Sequence, residues 1–501
     1  MSLFGTKSVD DLQATLEEGA HGKGLTRALS ATDLVMLGIG AIIGAGIFST
    51  LGTAAVGETG VRLGAGPALV LSFVLLGLVC ALAGMCYAEL TSMIPISGSA
   101  YTYAYATLGE LVAWIIGWDL ILEYAVGNVA VAIAWSDYFV SLLRVFGVEF
   151  PYWLSTSYRN VAISYPDRLA ELPLLFGHRV AINVPGILIV ALITWVLVIG
   201  VKESARVNNA MVVLKLVVLA LFVGVGYFYV DTSNWHPFAP NGWAGIHQGA
   251  AIVFFAYIGF DAVSTAAEET KNPQRAMPIG ILGSLLICTV IYAVVGLVAT
   301  GIVPYTELKG SDPLARAFEV RGVAWMHFIL ALGAVVSMTA VLLVFQLGQP
   351  RILFSMSRDG LLPPWFRKVH PVHHTPHVTT ILTGVVVALG ATFLDDDETY
   401  DLTNIGTLFA FLVVCLGVLA LRLKDPLRPR PFRVPAVWLV APAGAAACIY
   451  VMTGLPRSAW IRFGVWMVVG LLLYFVYGFW HSRLTAREAK AAARLSPPPS
   501  S

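Results

Sequence analysis

The sequence predicts an all-α polytopic membrane protein with twelve spanning helices. Hydrophobic residues make up 57% of the 501 residues and charged residues only 12%, whereas soluble domains carry roughly 25% charged residues. The mean hydropathy of +0.78 agrees with this class. A helix needs about 20 apolar residues to cross a bilayer, and we find twelve such runs, numbered helix 1 to helix 12: 33–56, 67–93, 108–143, 185–203, 208–230, 245–268, 277–302, 322–356, 377–394, 402–422, 435–455 and 460–481.

Helices 1 and 6 are interrupted by glycines in the middle of their apolar runs. Helix 1 contains Gly38-Ile39-Gly40-Ala41-Ile42-Ile43-Gly44-Ala45-Gly46, and helix 6 contains Phe254-Phe255-Ala256-Tyr257-Ile258-Gly259-Phe260-Asp261. An unwound backbone inside a membrane leaves polar groups unpaired, which costs several kcal/mol each unless the groups line a cavity or hold a ligand. The two breaks therefore predict a transporter with a substrate site near the bilayer midplane.

The positions of the breaks suggest an internal repeat. Residues 33–230 form one repeat of helices 1–5, and residues 245–422 form a second repeat of helices 6–10. Helices 11 and 12 follow over residues 435–481. Residues 1–32 are a polar N-terminal segment, and residues 482–501 are a tail whose composition predicts disorder. If the repeats are inverted, the two breaks lie at one depth.

Charge places both termini in the cytoplasm. With the N-terminus inside, cytoplasmic segments carry roughly twice as many Lys and Arg residues as the opposite loops, as the positive-inside rule requires. The loop 144–184 is an exception, because it carries four arginines on the outer side. The formal net charge of +1 gives no reason to expect a nucleic-acid partner. The five cysteines lack metal-ligand spacing, and no cofactor is expected.

The two breaks offer complementary chemistry. The half-helix that starts after Gly44-Ala45-Gly46 would point free N–H groups and a positive dipole end at a carboxylate. Carbonyls freed at Ile42 and at Phe255 to Tyr257 would accept hydrogen bonds from an ammonium group. An α-amino acid carries both groups on one carbon. The alternative is that Gly40 and Gly44 only form a close-packing helix face, which is common in membrane proteins.

Several motifs in the same order resemble the amino acid–polyamine–organocation transporters, in particular the bacterial cationic amino acid transporter branch. The first is the glycine-rich stretch Gly40–Phe48. The second runs from Phe254 to Asp261 and continues through Glu268-Glu269-Thr270-Lys271-Asn272-Pro273. The third is Gly348-Gln349-Pro350-Arg351 with Ser357-Arg358-Asp359-Gly360 after it. The resemblance covers roughly residues 30–483. It implies the 5+5 inverted repeat of the sodium-coupled leucine transporter, alternating access, and a place in the cytoplasmic membrane.

The same resemblance assigns roles to individual residues. Backbone N–H groups of Gly44, Ala45 and Gly46 would bind the substrate carboxylate, and Phe255 would be an aromatic gate. Ala45 stands where many relatives carry Ser or Thr, so a hydroxyl contact is missing. The expected substrate-binding residues are Ile42, Gly44, Ala45, Gly46, Glu123, Phe255, Ala256, Tyr257, Ile258 and Asp261.

Lys215 is the most unusual ionisable residue. It lies about 12 Å into helix 5 at 1.5 Å per residue, and a charge there is costly unless it is paired or faces a wet cavity. By resemblance, its ammonium takes the place of a sodium ion and holds freed carbonyls near Gly40 and Ala41. Loss of its proton would release them, which implies proton-coupled, sodium-independent transport. The alternative is a static ion pair with a carboxylate.

Glu123 and Asp261 bear on the side chain of the substrate. Asp119 lies one turn before Glu123 on the same helix face, so either one carboxyl is protonated or a cation lies near. By resemblance, Glu123 could receive a Lys, Arg or ornithine side chain, with Asp261 as a second candidate. The alternative for Glu123 is a protonated packing contact, and this is the favoured reading for Asp119. The apolar middle of helix 8, residues 338–346, keeps small neutral amino acids open as substrates.

The sequence contains two further clusters of histidines or charged residues. A basic loop contains four histidines with spacing that could bind a metal: His370, His373, His374 and His377. Pro371 and Pro376 would interrupt any helix that could align them, so a metal site is disfavoured there. Arg351 and Arg358 with Asp359 are expected to form an inner gate with Glu268 or Glu269.

Other function classes fit the sequence less well. An enzyme would need clustered catalytic groups, and a channel would need a pore helix or charge rings. An amino acid or polyamine exchanger, or an amino acid sensor without net transport, stays open. So do the particular amino acid, the oligomeric state and any partner protein.

Overall fold

The computed structural model describes residues 5–7, 28–95, 99–164, 166–175, 177–200, 205–310, 312–373 and 375–484. Within these ranges nine helices are long and apolar enough to span a membrane: Ala31–Val56, Gly66–Met93, Glu110–Val145, Asn208–Tyr227, Gly242–Ala267, Pro273–Ile302, Ala324–Arg358, Asp396–Lys424 and Arg457–His481. They coincide with helices 1, 2, 3, 5, 6, 7, 8, 10 and 12 of the prediction, and we keep that numbering.

Three shorter apolar helices occupy the remaining predicted spans. Val184–Ile199, His377–Phe393 and Val437–Met452 stand at the positions of helices 4, 9 and 11. The helical, multi-pass membrane class is therefore confirmed. The count of twelve crossings and the 5+5 repeat stay predictions.

Helix 1 is built from two halves. The first half, Ala31–Ile42, begins with a capping box in which the Asp33 N–H donates to the Ser30 hydroxyl and the Ser30 N–H donates to the Asp33 carboxylate. Helical geometry is lost at Ile43 and Gly44. The second half resumes as a π-helical turn, Gly46–Thr50, followed by Leu51–Val56. The break predicted from the glycines is thus present.

Helix 6 is also interrupted. It starts as an α-helix, Gly242–Val253, and tightens into a 3₁₀ turn, Phe254–Tyr257. A turn around Gly259 follows, with a φ of +114° that glycine adopts far more readily than other residues. The chain continues as a nine-residue 3₁₀ helix, Asp261–Glu269. Such helices seldom exceed three or four residues, and longer ones often mark functional hinges.

The helices pack around these two broken segments. Helix 7 runs along helices 1 and 2, while helix 8 runs along helices 3 and 5. Helix 10 packs on helices 2, 3 and 11. Helix 3 itself contains a π-helical turn, Leu122–Val126. Residues from both breaks belong to the main buried core.

One end of the bundle, here called the distal end, lies opposite residues 5–7 and the end of helix 12. It carries two small antiparallel hairpins, β1 (Gly57–Glu58) with β2 (Arg62–Leu63) and β3 (Leu174–Leu175) with β4 (His178–Arg179). Arg62 binds both oxygens of Asp401 on helix 10, at 2.9 and 2.6 Å. Burial works to lower the pKa of Arg62, but the Asp401 carboxylate outweighs it and the pKa lies above its usual value.

The other end, called the terminal end, holds residues 5–7 and the end of helix 12. Lys7 forms an ion pair with Asp359, whose other carboxylate oxygen accepts a bond from Tyr101 at 2.8 Å. The partners of Asp359 thus come from segments that are distant along the chain. The predicted inner gate of Arg351, Arg358 and Asp359 with Glu268 or Glu269 stays a prediction. Of the predicted acidic partners, the side chain of Glu268 lies outside the described residues.

Candidate site at the two helix breaks

The two breaks contact each other directly, and glycine makes this possible. A Cβ atom built on Gly46 would lie 2.2 Å from the Cα of Ala256. A Cβ on Gly259 would lie 2.8 Å from the carbonyl oxygen of Ala41. The helix 1 backbone therefore touches the helix 6 backbone in two places, and any larger side chain would separate them.

The start of the second half of helix 1 is a candidate anion site. Gly44 leaves the helical path, and Ala45 and Gly46 begin the next turn. The first N–H groups of a helix have no partner within it, and they carry the positive end of its dipole. The Phe48 N–H does reach back to the Gly44 carbonyl, at 3.5 Å. Together the three residues form the N–H end of the site.

The carbonyl groups predicted to bind an amino group are partly engaged. The Ile42 carbonyl accepts a bond from the Tyr292 hydroxyl at 3.0 Å. The Phe255 carbonyl accepts one from the Ile258 N–H at 3.3 Å. A carbonyl oxygen has two lone pairs, so each can accept a second hydrogen bond. Ile42, Phe255 and the adjacent Tyr257 form the carbonyl end of the site.

Asn404 on helix 10 supports the same region. Its side-chain amide donates to the carbonyls of Ala251 and Ile252, at 2.9 and 3.0 Å, just before helix 6 tightens. Sequence reasoning missed both Asn404 and Tyr292. The only available signal was a polar group within an apolar run, and that signal does not name a partner.

Lys215 reaches the first break from helix 5. Its ammonium nitrogen lies 2.9 Å from the carbonyl oxygens of both Gly40 and Ile43, and the side chain is 1% exposed. The contact with Gly40 agrees with the prediction, whereas the second partner is Ile43 and not Ala41. Both carbonyls lie at the end of the first half of helix 1, where carbonyl groups lose their partners within the helix. No carboxylate pairs with Lys215 within the described part of the chain.

Three buried carboxyl groups lie close together near the second break. Glu123 faces Asp119 and Asp261 and bonds the hydroxyl of Thr407. Asp261 accepts a bond from Tyr124 at 3.3 Å. Asp119 is 0% exposed, and neither of its oxygens bonds any residue that the structure describes. The predicted proximity of the acids is present, but no cationic side chain accompanies them in the described ranges.

Aromatic and branched side chains complete the surroundings. The ring of Phe255, the predicted gate, meets Tyr400 edge-on with centroids 4.8 Å apart. Phe345 of helix 8 meets Tyr124 in the same way at 5.6 Å. Val341, one turn earlier on helix 8, abuts Gly44 so closely that a Cβ there would lie 2.6 Å from a Val341 methyl group. Helix 8 thus narrows the space next to the N–H end.

The histidine loop lies away from both breaks. The ring of His370 lies 4.7 Å from that of His373 and 5.1 Å from that of His377, measured between centroids. His370 Nδ1 accepts N–H groups from Val372 and His373 at 3.2 Å. Among the described residues, which exclude His374, no three potential ligands have metal-site geometry.

Two discontinuous helices that meet inside a helical membrane protein are typical of multi-pass transporters. Within that class, residues 29–475 match the amino acid permease family, and the chain belongs to this family. The resemblance to the amino acid–polyamine–organocation superfamily is thereby confirmed.

Named relatives extend over nearly the whole chain. A branched-chain amino acid permease of Bacillus subtilis (strain 168) is 45% identical over 484 residues, covering 96% of this chain and 99% of that protein. A methylthioribose transporter of the same strain is 46% identical over 483 residues, with the same coverage. Cationic amino acid transporter 9, chloroplastic, of Arabidopsis thaliana is 39% identical over 415 residues, covering 82% of this chain and 69% of that protein. Similar identities thus accompany different substrates.

Proposed function

We propose that this chain is a secondary active transporter that moves an L-amino acid across the cytoplasmic membrane by alternating access. The observation that carries the proposal is the contact of the two breaks at Gly46 and Ala256, which sets the N–H end beside the carbonyl end. The carboxylate of the substrate binds at Gly44 to Gly46. Its ammonium group binds at Ile42, Phe255 and Tyr257, beside Ala256 and Ile258. Family membership supports amino acid transport and not an enzymatic activity.

The topology belongs to the same proposal. Residues 33–230 and 245–422 are inverted repeats, followed by helices 11 and 12 over residues 435–481, and both termini are cytoplasmic. Broken helices at the first position of each repeat support this arrangement, since transporters of this type carry their discontinuous helices in corresponding positions. The distal end then faces outwards.

Lys215 couples transport to protons in this proposal, without sodium. The ammonium group holds the Gly40 and Ile43 carbonyls and so fastens helix 5 to the first break. A buried charge with only carbonyl partners is costly in a membrane, so loss of the proton is the natural way to relieve it. Helix 1 is then released for the return step. The absence of a carboxylate partner in the described residues argues against a static ion pair.

Two groups of residues around the site favour different classes of substrate. The carboxyl groups of Glu123 and Asp261 favour a cationic side chain, and Phe255 closes the site above it. Val341 and Phe345 narrow the space on helix 8 and favour a small neutral one. We therefore propose a cationic or small neutral amino acid.

Counterflow in reconstituted vesicles tests the function. Vesicles loaded with each unlabelled amino acid in turn are presented with the same labelled compound, and methylthioribose is included because of the relative of that name. We expect exchange of at least one amino acid. Exchange without net uptake would indicate an exchanger, and binding without exchange a sensor. Exchange of methylthioribose alone would contradict the proposal.

A further inference from the structure

A short helix at the distal end covers the outer half of helix 1. This loop helix, Pro313–Val320, follows a segment whose Leu308 carbonyl oxygen would lie 2.4 Å from a Cβ built on Gly52. Phe318 of the loop helix meets Phe222 and Tyr229 edge-on, with centroids 5.7 and 6.1 Å apart. The loop segment therefore packs directly against the backbone of the second half of helix 1.

A chain of hydrogen bonds ties the loop helix to two long helices. Asp312, directly before the loop helix, accepts a bond from the Ser141 hydroxyl of helix 3 at 2.7 Å. The same hydroxyl oxygen lies 3.0 Å from Nε2 of His327, near the start of helix 8. Ser141 and His327 are both buried. Three separate elements therefore meet at one hydroxyl group.

The Ser141 hydroxyl has a single proton, so it can donate only one hydrogen bond, either to Asp312 or to His327. If Ser141 donates to a charged Asp312, His327 must donate from Nε2. If Asp312 is protonated and donates to Ser141, the hydroxyl donates to Nε2 of a neutral His327. With one added proton the carboxyl and imidazole are together neutral in either arrangement. Without it they carry a net negative charge in a buried position.

Among the described residues, few other charged groups lie near Asp312, Ser141 and His327. Arg144 of helix 3 attracts the Asp312 carboxylate, Glu319 of the loop helix repels it, and the phenol of Tyr138 lies within range of it. Two further arginines of the loop, Arg316 and Arg321, bond the backbone carbonyls of Glu307 and Ile302 instead. A cavity of about 250 Å³ is lined in part by Ser141, Arg144, Glu319 and His327 and so borders the imidazole.

We propose that Asp312, Ser141 and His327 form a proton-binding site that latches the loop helix over helix 1. The proton-loaded, neutral chain holds the latch closed, and loss of the proton leaves a buried negative charge that opens it. The site is separate from the breaks and from Lys215. It adds a pH-dependent closing step to the proposed transport cycle, on the side that faces outwards in that cycle.

The carboxyl group supports the direction of this dependence. Burial raises the pKa of Asp312 above its usual value, although the hydrogen bond from Ser141 acts in the opposite sense. A group whose pKa is raised in the closed state stabilises that state at low pH and loses this effect as the pH rises. The latch is therefore tight in acid and loose in base.

Hydrogen–deuterium exchange of the loop helix tests the latch without any substrate. Purified full-length protein is measured at about pH 5.5 and about pH 7.5. Exchange of the distal helix Tyr158–Ser164 in the same sample corrects for the intrinsic effect of pH. We expect the relative protection of Pro313–Val320 to fall about tenfold as one proton is lost.

Two variants separate titration from hydrogen bonding. The double substitution Asp312→Asn with His327→Gln keeps donors and acceptors but cannot titrate, so we expect protection at both pH values. Ser141→Ala removes the shared hydroxyl, so we expect protection to be lost at both. The control Thr339→Val removes a different hydroxyl that joins helices 3 and 8 through Trp135, and should behave like the wild type.

Three results would overturn the latch: wild-type protection that does not change with pH, an unchanged pH dependence in the double variant, or normal protection in Ser141→Ala. Because no substrate is present, each of these is independent of whether the protein transports amino acids. Conversely, a failed counterflow experiment would leave the hydrogen–deuterium exchange result unaffected.

Discussion

Buried ionisable side chains in this protein have two different kinds of surroundings. Lys215 is surrounded by carbonyl dipoles that no longer bond within helix 1. Glu123, Asp119 and Asp261 are grouped without a cationic partner among the described residues. The first arrangement satisfies a positive charge. The second leaves room for one, and in the proposed function the substrate supplies it.

Glu123→Gln is expected to change selectivity more than overall activity. Loss of a buried charge partner costs about 2–5 kcal/mol, so uptake of a cationic amino acid should fall by at least about tenfold. Uptake of alanine should change by less than about twofold, because a neutral side chain makes no ion pair there. Initial rates of labelled arginine and alanine uptake give the two values.

Asp119→Asn is the matched control, since this carboxyl lies one turn away and has no hydrogen-bond partner in the described ranges. It should leave the arginine-to-alanine ratio unchanged. Equal loss of both substrates in Glu123→Gln would show that the carboxyl has no part in recognising the side chain.

Prediction of single residues from the sequence is easiest where a residue type is unusual for its surroundings. A lysine within an apolar helix stands out in the sequence, and the glycines around residue 43 indicate which carbonyls are free. Tyr292, Asn404 and His327 could not be assigned in this way. Each contacts a group on another helix, and the sequence alone does not show which residues of distant helices are neighbours.

At the level of elements, the breaks depend on missing side chains. Gly46 and Gly259 allow the two backbones to touch, so the N–H end and the carbonyl end lie within reach of one small molecule. The sequence predicted both breaks from glycine in apolar runs. It did not predict that helix 1 resumes as a π-helical turn or that helix 6 continues as a 3₁₀ helix, because these depend on how the segments pack.

Gly46→Ala should weaken substrate binding. The added methyl group would lie 2.2 Å from the Cα of Ala256, and overpacking of this kind costs about 1–3 kcal/mol. The dissociation constant for the substrate should rise by about tenfold or more. Scintillation proximity binding to purified protein measures it.

Gly224→Ala on helix 5 provides the comparison, since a Cβ there meets nothing within 4 Å. It should retain wild-type affinity and show that a methyl group in a helix is tolerated. Wild-type affinity in Gly46→Ala would mean that the contact of the breaks is irrelevant to binding.

Helix 10 shows how a boundary is misplaced. The apolar run predicted helix 10 from residue 402, whereas the helix begins at Asp396. Acidic residues are favoured in the first turn of a helix, where they face the positive end of its dipole. An apolar run does not include such a turn. Similar capping explains why helix 1 starts directly after Ser30.

Over the whole molecule, ion pairs fasten both ends of the bundle. At the distal end Arg62 binds Asp401. At the terminal end Glu89 of helix 2 accepts two bonds from Arg422 of helix 10, at 3.0 and 2.7 Å, and lies 3.2 Å from Arg430. The basic residues that indicated orientation therefore also hold the loop after helix 10 in place.

Glu89→Gln should reduce stability strongly. Removing one partner of a buried ion pair costs about 3–5 kcal/mol, since the remaining charges stay buried. Glu398→Gln is the control, because its partners Arg159 and Arg462 are about half and one third exposed, and exposed pairs contribute at most about 1 kcal/mol each. Thermal unfolding in detergent should show a much lower midpoint for Glu89→Gln only. Equal midpoints would contradict a structural role for Glu89.

The central claim is that this protein binds an amino acid between its two helix breaks and transports it across the membrane, with Lys215 as the proton carrier. Sodium-free uptake into vesicles with an acidic exterior and a more alkaline interior, comparing the wild type with Lys215→Met, tests it most directly. The wild type should accumulate the substrate above its external concentration, and Lys215→Met should reach equilibration at most. Undiminished, pH-dependent accumulation by Lys215→Met, or no accumulation by the wild type, would contradict the account.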